Sequence, residues 1–258
     1  MLRSLKALVN YKVSATDGEI GNVEDFYFDD DRWTVRYLVV DTKGRWSERR
    51  EVLISPLAFE GADWATQHFR LSLTREKVKN SPGIDLDKPV SRQHEEDYSD
   101  YYSWPYYWGF NGLWGTWASP RALARSKDEE PRVARHGGDP HLRCVCDVVG
   151  YRIHGSDGDL GHVHDFIADD DTWAIRYLVV DTSRWWFGKS VLIGTTWIER
   201  IEWLDSKVYV SLSKQAIRKS PGWRPDQPVN REYEVRLYDY YGRPAYWVGA
   251  HRDKEGKR

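Results

Sequence analysis

The sequence predicts an all-β fold: two small β-barrels in tandem, each with one short helix and an aromatic C-terminal strap. Three observations carry this. The run Arg36-Tyr37-Leu38-Val39-Val40-Asp41-Thr42 returns unchanged as Arg176-Tyr177-Leu178-Val179-Val180-Asp181-Thr182, so the chain is an internal repeat. Tyr151 to Thr182 follows Tyr11 to Thr42 without a gap, with more than half the positions identical. The flanking segments are short apolar runs punctuated by Gly, Asp and Pro, the pattern of a small barrel.

The elements follow in order. Residues 5 to 15 read as a strand, and Asp17-Gly18 as a two-residue hairpin turn, because Gly adopts positive φ without steric cost. Glu19 to Phe28 is the return strand. Its apolar residues Ile20, Val23, Phe26 and Phe28 are not strictly alternate, which predicts a bulge near Gly21. Asp29-Asp30-Asp31 turns the chain into the strand Trp33 to Thr42. Side chains alternate along a strand, so Val35, Tyr37 and Val39 share one face and Arg36, Leu38 and Val40 the other. Both faces are largely apolar, so the outer one needs a cover, supplied by the other copy or by another segment. Lys43-Gly44-Arg45 turns again, Val52-Leu53-Ile54 is a short strand, and Phe69 to Leu73 closes the set. Thr74 caps a short helix through Asn80, stopped at Ser81-Pro82-Gly83. The second copy repeats this, with Ser213 capping the helix that stops at Ser220-Pro221-Gly222.

An aromatic strap follows each helix: Tyr101-Tyr102-Ser103-Trp104-Pro105-Tyr106-Tyr107-Trp108-Gly109, and Tyr240-Tyr241-Gly242-Arg243-Pro244-Ala245-Tyr246-Trp247. Proline favours an extended path over the barrel surface. The expected boundaries are 1–92 for the first barrel, 93–117 for its strap, 118–140 for a flexible linker with a Lys-Asp-Glu-Glu run, 141–231 for the second barrel, and 232–258 for the second strap and charged tail.

Composition narrows the function. The net charge is −2, from 38 basic and 40 acidic residues, so nothing favours nucleic acid, whose binders carry a basic excess. Mean hydropathy is −0.71 and no run approaches a membrane span. The first nine residues are too interrupted for a signal peptide. Two cysteines do not make a disulfide framework, and a cytoplasmic protein is expected. The 14 Trp and 16 Tyr suit both barrel cores and interfaces.

The Asp17–Asp25 hairpin, the Arg36–Asp41 strand, the Val52–Pro56 segment and the leucine-serine-leucine entry to a helix ending in Ser-Pro resemble the PRC-barrel, over roughly 1–90 and again over 143–230. This domain occurs in the cytoplasmic part of the photosynthetic reaction centre H subunit and in the C-terminal half of the ribosome maturation factor RimM. The resemblance implies a non-enzymatic barrel that docks on proteins. The chain lacks the H subunit's transmembrane helix and the RNA-processing partner domain of RimM, so neither role transfers, and the arrangement is similar to stand-alone tandem PRC-barrel proteins of bacteria.

Several clusters invite chemistry. The triplets Asp29–Asp31 and Asp169–Asp171 offer oxygen ligands, but turn formation explains them better. His154, His162 and His164 are the candidate metal ligands, at i, i+2 on one strand and across the hairpin; the first copy has Ser14, Asn22 and Glu24 there. Cys144 and Cys146, with His136 and His141 before them, form a second loose cluster; they align with Ser4 and Lys6 and are expected to start a strand. Asp25 and Asp165 sit mid-strand with no catalytic companion and fit a structural hydrogen bond to a turn amide, Arg36 or Arg176.

No cofactor is expected, and no catalytic residue. The reading is a protein-binding or scaffolding module built as an intramolecular pseudo-dimer of barrels, with a protein partner, and with self-association left open. Trp104, Tyr106, Trp108, Trp114 and Trp117 are the expected contacts. Two alternatives stay open: a ribosome- or RNA-processing-associated factor, and a peripheral accessory of a membrane photosynthetic or electron-transfer complex.

Overall fold

The computed structural model describes residues 1–43, 51–83, 90, 92–108, 112–126, 142–182 and 189–248. Outside them lie Gly44-Arg45 of one expected turn, Gly109 at the end of the first strap, residues 127–140 of the expected linker with its charge run and His136, and also His141 and the charged tail.

The first copy runs β1 (Leu2–Ser4), α1 (Leu5–Leu8), β2 (Lys12–Ala15), β3 (Gly18–Asp29), β4 (Thr34–Asp41), β5 (Glu51–Ile54), β6 (Phe59–Asp63), β7 (His68–Leu71), α2 (Arg75–Lys79), α3 (Arg92–Tyr102) and α4 (Pro120–Arg125). The second runs β8 (Leu142–Cys144), α5 (Val145–Val148), β9 (Arg152–Gly155), β10 (Gly158–Asp169), β11 (Ile175–Asp181), β12 (Ser190–Gly194), β13 (Ile198–Glu202), β14 (Lys207–Val210), α6 (Lys214–Lys219) and α7 (Arg231–Tyr241). The protein is mostly β, with two seven-stranded sheets of matching order, β5-β4-β3-β2-β7-β6 and β12-β11-β10-β9-β14-β13. The seventh strand comes from the opposite copy: β8 pairs β3, and β1 pairs β10.

By compactness the chain divides into two units that do not coincide with the repeats. The larger joins Ser4–Val149 to Phe166–Arg176; the smaller joins Met1–Arg3, Gly150–Asp165 and Tyr177 onward.

In the larger unit, β4 is buried from Thr34 to Val40, as two apolar faces demand. The Tyr37 and Val39 face packs with Tyr27 and Leu53 against Tyr98 and Tyr102 of α3 and Leu142 and Cys144 of β8. The bulge expected near Gly21 is present: Val13 pairs Gly21 and Ser14 pairs Glu19, leaving Ile20 as the extra, fully buried residue. Gly21 is required there, because a Cβ would meet the Asp41 carbonyl oxygen at 2.0 Å. The hairpin turn sits one residue earlier than expected, since Ala15 pairs Gly18. Asp17 instead accepts the Arg75 amide at 2.7 Å, tying the turn to α2, whose cap Thr74 accepts from Lys77.

Three expectations need correction here. Residues 5–15 are not one strand: Ser4 caps a single helical turn over Leu5–Leu8, and the chain reverses through Asn10 at φ 70°. The strap does not begin extended. Tyr101 and Tyr102 close α3, because Glu95, Tyr98, Ser99 and Tyr102 recur at helical spacing and are all buried. Part of the expected linker is a helix: Ser119 caps α4, Pro120 takes its first position and Leu123 is fully buried against the turn Pro56–Ala58.

The tips of the two long hairpins bond reciprocally within this unit. Val35 donates its amide to the Trp173 carbonyl at 2.9 Å, and Ile175 donates to the Trp33 carbonyl at 2.6 Å. This two-way exchange between equivalent positions is the signature of a two-fold contact.

In the smaller unit, Leu160 takes the bulge position of Ile20, and Gly161 at φ +152° passes the Asp181 carbonyl. Asp157 accepts the Lys214 amide as Asp17 accepts that of Arg75. Tyr240 and Tyr241 again close a helix, α7, which ends at Gly242 in the left-handed conformation.

Candidate docking cleft and its aromatic surroundings

Each helix at the end of a repeat carries a buried glutamate: Glu95 in α3 and Glu234 in α7, each 2% exposed. A carboxylate buried this far needs donors. Tyr107 donates its hydroxyl to Glu95. In the smaller unit Tyr177 of β11 and Tyr246 both donate to Glu234, at 2.7 and 2.8 Å. Burial, with the neighbouring Tyr238 and the Glu234 charge, pushes the Tyr177 hydroxyl far above its ordinary range, which keeps it a donor. The glutamates were missed in the sequence, although Glu95/Glu234 and Tyr107/Tyr246 share the repeat offset of 139.

The aromatic segment of the larger unit closes over Arg36. This residue is fully buried, donates to Asp29 at 2.9 Å and to the Leu113 carbonyl, and lies 3.8 Å from the Tyr107 ring centroid and 4.7 Å from that of Trp114. The carboxylate partner of Arg36 is thus Asp29. Asp25 accepts instead from the Phe26 amide at 2.7 Å and from the Cys144 thiol at 2.9 Å. Asp165 is buried.

Of the five expected contact residues, Trp114 is fully buried and donates its indole N–H to the Thr172 carbonyl at 2.7 Å, while Trp108 is 8% exposed. Their surface is spent inside the unit, because the segment must cover the Arg36 face. Trp104 and Tyr106 are half-buried, stacked on Tyr102 and Trp108 respectively, and Trp117 stands 36% exposed.

The Asp triplets act as turns. Asp29 accepts the amides of Asp31 and Arg32, and Asp169 those of Asp171 and Thr172. His154 pairs with Asp159 at 2.7 Å. His154, His162 and His164 do not converge: among the described residues, the group that brings three metal-type ligand atoms together is Asp25, Cys144 and Cys146. Cys144 ends β8 and Cys146 lies in the turn α5, so the cysteines close a strand rather than start one.

The larger unit also carries an open cleft of about 250 Å³, lined by Pro56, Phe59, Trp64, Phe69, Pro120 and Trp173, with Glu60, Asp170, Asp171 and Arg121 around it. Phe59 stacks on Phe69 at 5.0 Å, and Trp173 meets both rings. Pro120 and Arg121 belong to α4, and Arg121 donates to the Glu60 carbonyl at 2.5 Å. Three carboxylates face one guanidinium, so the rim is acidic over an aromatic floor.

Residues 3–60 match the PRC-barrel domain. The PRC-barrel domain found there implies a non-catalytic module. Its matched span contributes Pro56, Phe59 and Glu60 to the cleft, and the remaining walls lie beyond it. An uncharacterized protein of Deinococcus radiodurans is 35% identical over 86 residues, which make up 33% of this chain and 30% of that protein. Among the described residues, no helix is long and apolar enough to cross a membrane.

Proposed function

We propose that the chain is a non-enzymatic protein-binding module built from two interlocked PRC-barrels, and that it docks a basic segment of a partner protein in the cleft between Trp64 and Trp173. The observation that carries this is the pairing of an aromatic floor with a rim of Glu60, Asp170 and Asp171. Rings hold the alkyl stem of Lys or Arg while carboxylates meet its charged head. At about 250 Å³ the cleft is smaller than the ~300–1,000 Å³ typical of small-molecule sites, and its size fits the anchoring side chain of a larger partner. The shared strand order of the two sheets and the exchanged strands support the interlocked pair.

A photo-crosslinking residue placed at Arg121 tests it in cells of the source organism. The reading requires a crosslinked peptide that contains Lys or Arg. Trp64→Ala should weaken that partner by roughly 30-fold, the loss of an aromatic anchor worth ~2 kcal/mol, and Asp171→Lys should weaken it as well. Crosslinks confined to acidic or purely apolar peptides, or binding indifferent to both variants, would refute the cleft.

A further inference from the structure

We propose that Asp25, Cys144 and Cys146 form a binding site for a thiophilic divalent cation of the zinc type, placed where the first strand of the second repeat joins the sheet of the first. The ligand atoms of the three residues lie within 4.8 Å of one another. An ion holding sulfur at ~2.3 Å and oxygen at ~2.0–2.2 Å gathers such a set with small side-chain rotations.

The fold assembles this group from distant sequence. Cys144 pairs with Tyr27 across the β3–β8 ladder, 117 positions apart (144 − 27), which puts the thiol one step from Asp25. On the other side of β3, its ladder with β4 shifts register between Val23 and Asp25, and the Asp25 carboxylate accepts from the Cys144 thiol at 2.9 Å. The chain then reverses into α5, which brings Cys146 round beside Cys144. A cavity of about 320 Å³ opens onto the three residues, lined also by Glu24, Tyr27, Val39 and Asp147. Among the described residues this lining holds three carboxylates and two thiols, and no Lys, Arg or His.

The equivalent position in the first repeat shows what has been given up. Ser4, the counterpart of Cys144, caps α1 by accepting the Ala7 amide at 3.0 Å. Cys144 stands at the same cap and makes no such bond; its thiol is directed at the Asp25 carboxylate, 2.9 Å away. A serine would serve the helix, whereas the cysteine serves the cluster.

The donor set selects the metal. Two thiolates disfavour Ca²⁺ and Mg²⁺, which take oxygen ligands, and a carboxylate beside them suits Zn²⁺. The fourth position falls to water or to Glu24 or Asp147 at the cavity wall. On binding, each thiol loses its proton to solvent, two metal–sulfur bonds and one metal–oxygen bond form, and no electron is transferred. The bound ion would fasten β8 and α5 to β3.

The full-length protein, reduced and stripped with chelator, is titrated with Co²⁺ as a spectroscopic probe. The expected result is one equivalent bound, with thiolate-to-cobalt charge-transfer absorption that Zn²⁺ abolishes by displacement. The absorption should be lost in Cys146→Ser, whose exposed position leaves folding intact, and in Cys144→Ser and Asp25→Asn. It should persist in His154→Ala. Zn²⁺ should raise the melting temperature of the wild type and not that of Cys146→Ser. No charge-transfer band in the wild type, a band that survives Cys146→Ser, or a Cys144–Cys146 disulfide in the freshly purified protein would overturn the site. None of these outcomes bears on the cleft, so the two readings fail separately.

Discussion

Arg36 donates to Asp29 at 2.9 Å in a place where the arginine is shut off from water. Asp29 also closes the turn by accepting the Asp31 and Arg32 amides, so one carboxylate serves both the turn and the buried cation. Asp29→Ala leaves that guanidinium without its counter-charge, and an uncompensated buried charge costs about 3–5 kcal/mol. Urea unfolding should show a loss of this size. Asp171→Ala, at an exposed turn position, should lie within about 0.5 kcal/mol of wild type.

The glutamate of α7 gives a second measurement. Tyr177 and Tyr246 donate to the same oxygen of Glu234. Tyr177→Phe and Tyr246→Phe should each cost about 1.5–3 kcal/mol, the range for bonds to a charged group. Their effects should not add, because each removal leaves that oxygen dependent on the other hydroxyl, while Arg231 holds the second oxygen at 2.9 Å. A double-mutant cycle in urea reads the coupling, and a coupling of zero would remove the network from the account.

Trp114 tests the contact of the first copy's aromatic segment with the turn at Thr172. Trp114→Phe keeps most of the packing and loses the indole bond, for about 1 kcal/mol. Trp114→Ala opens a cavity and should cost about 3–5 kcal/mol. Equal effects of the two variants would mean that the ring is not packed as described.

Buried tyrosines set an alkaline limit. Burial pushes the Tyr241 hydroxyl from 10.0 up to about 12, and burial raises Tyr27, Tyr177 and Tyr233 further. The folded state favours the neutral phenol, so its contribution is complete below pH 10.0 and is lost as pH climbs through about 12. Phenolate absorbance and circular dichroism should change together in that window. Full ionisation near pH 10 with the fold intact would contradict the burial.

Cys144→Ser places in the second repeat the residue that caps the equivalent turn of the first. In metal-free protein it should be stabilising or neutral within about 1 kcal/mol, the ordinary worth of an N-cap. A loss well beyond that would show that the thiol contributes packing which the Ser4 comparison does not reveal.

Much of this architecture could be read from residues alone. The Arg36–Thr42 strand announced its two buried faces by composition, and the bulge at Ile20 announced itself through Gly21. The helices α3 and α7 did not, because their buried positions are Glu, Ser and Tyr, with Leu237 of α7 as the one aliphatic residue among those described, and a nearby proline suggests an extended path. Helical spacing was nevertheless present in Glu95, Tyr98, Ser99 and Tyr102. The meeting of Asp25 with Cys144 was beyond reach, since no local pattern states which sheet a strand will join. The histidines looked the better ligands because they are close in sequence, whereas the cysteines acquire their carboxylate only through the exchanged strand.

That exchange bears on how the protein is made. The sheet built on β3 lacks a strand until Leu142–Cys144 leaves the ribosome, although its other members end at Leu71. At ~5–20 residues per second, the 70 residues between Leu71 and Leu142 keep the nascent barrel waiting roughly 4–14 s with a bare edge. A chain halted in that interval would display an edge complementary to the leading segment of any neighbour, so crowded polysomes are where this protein is most exposed to mispairing.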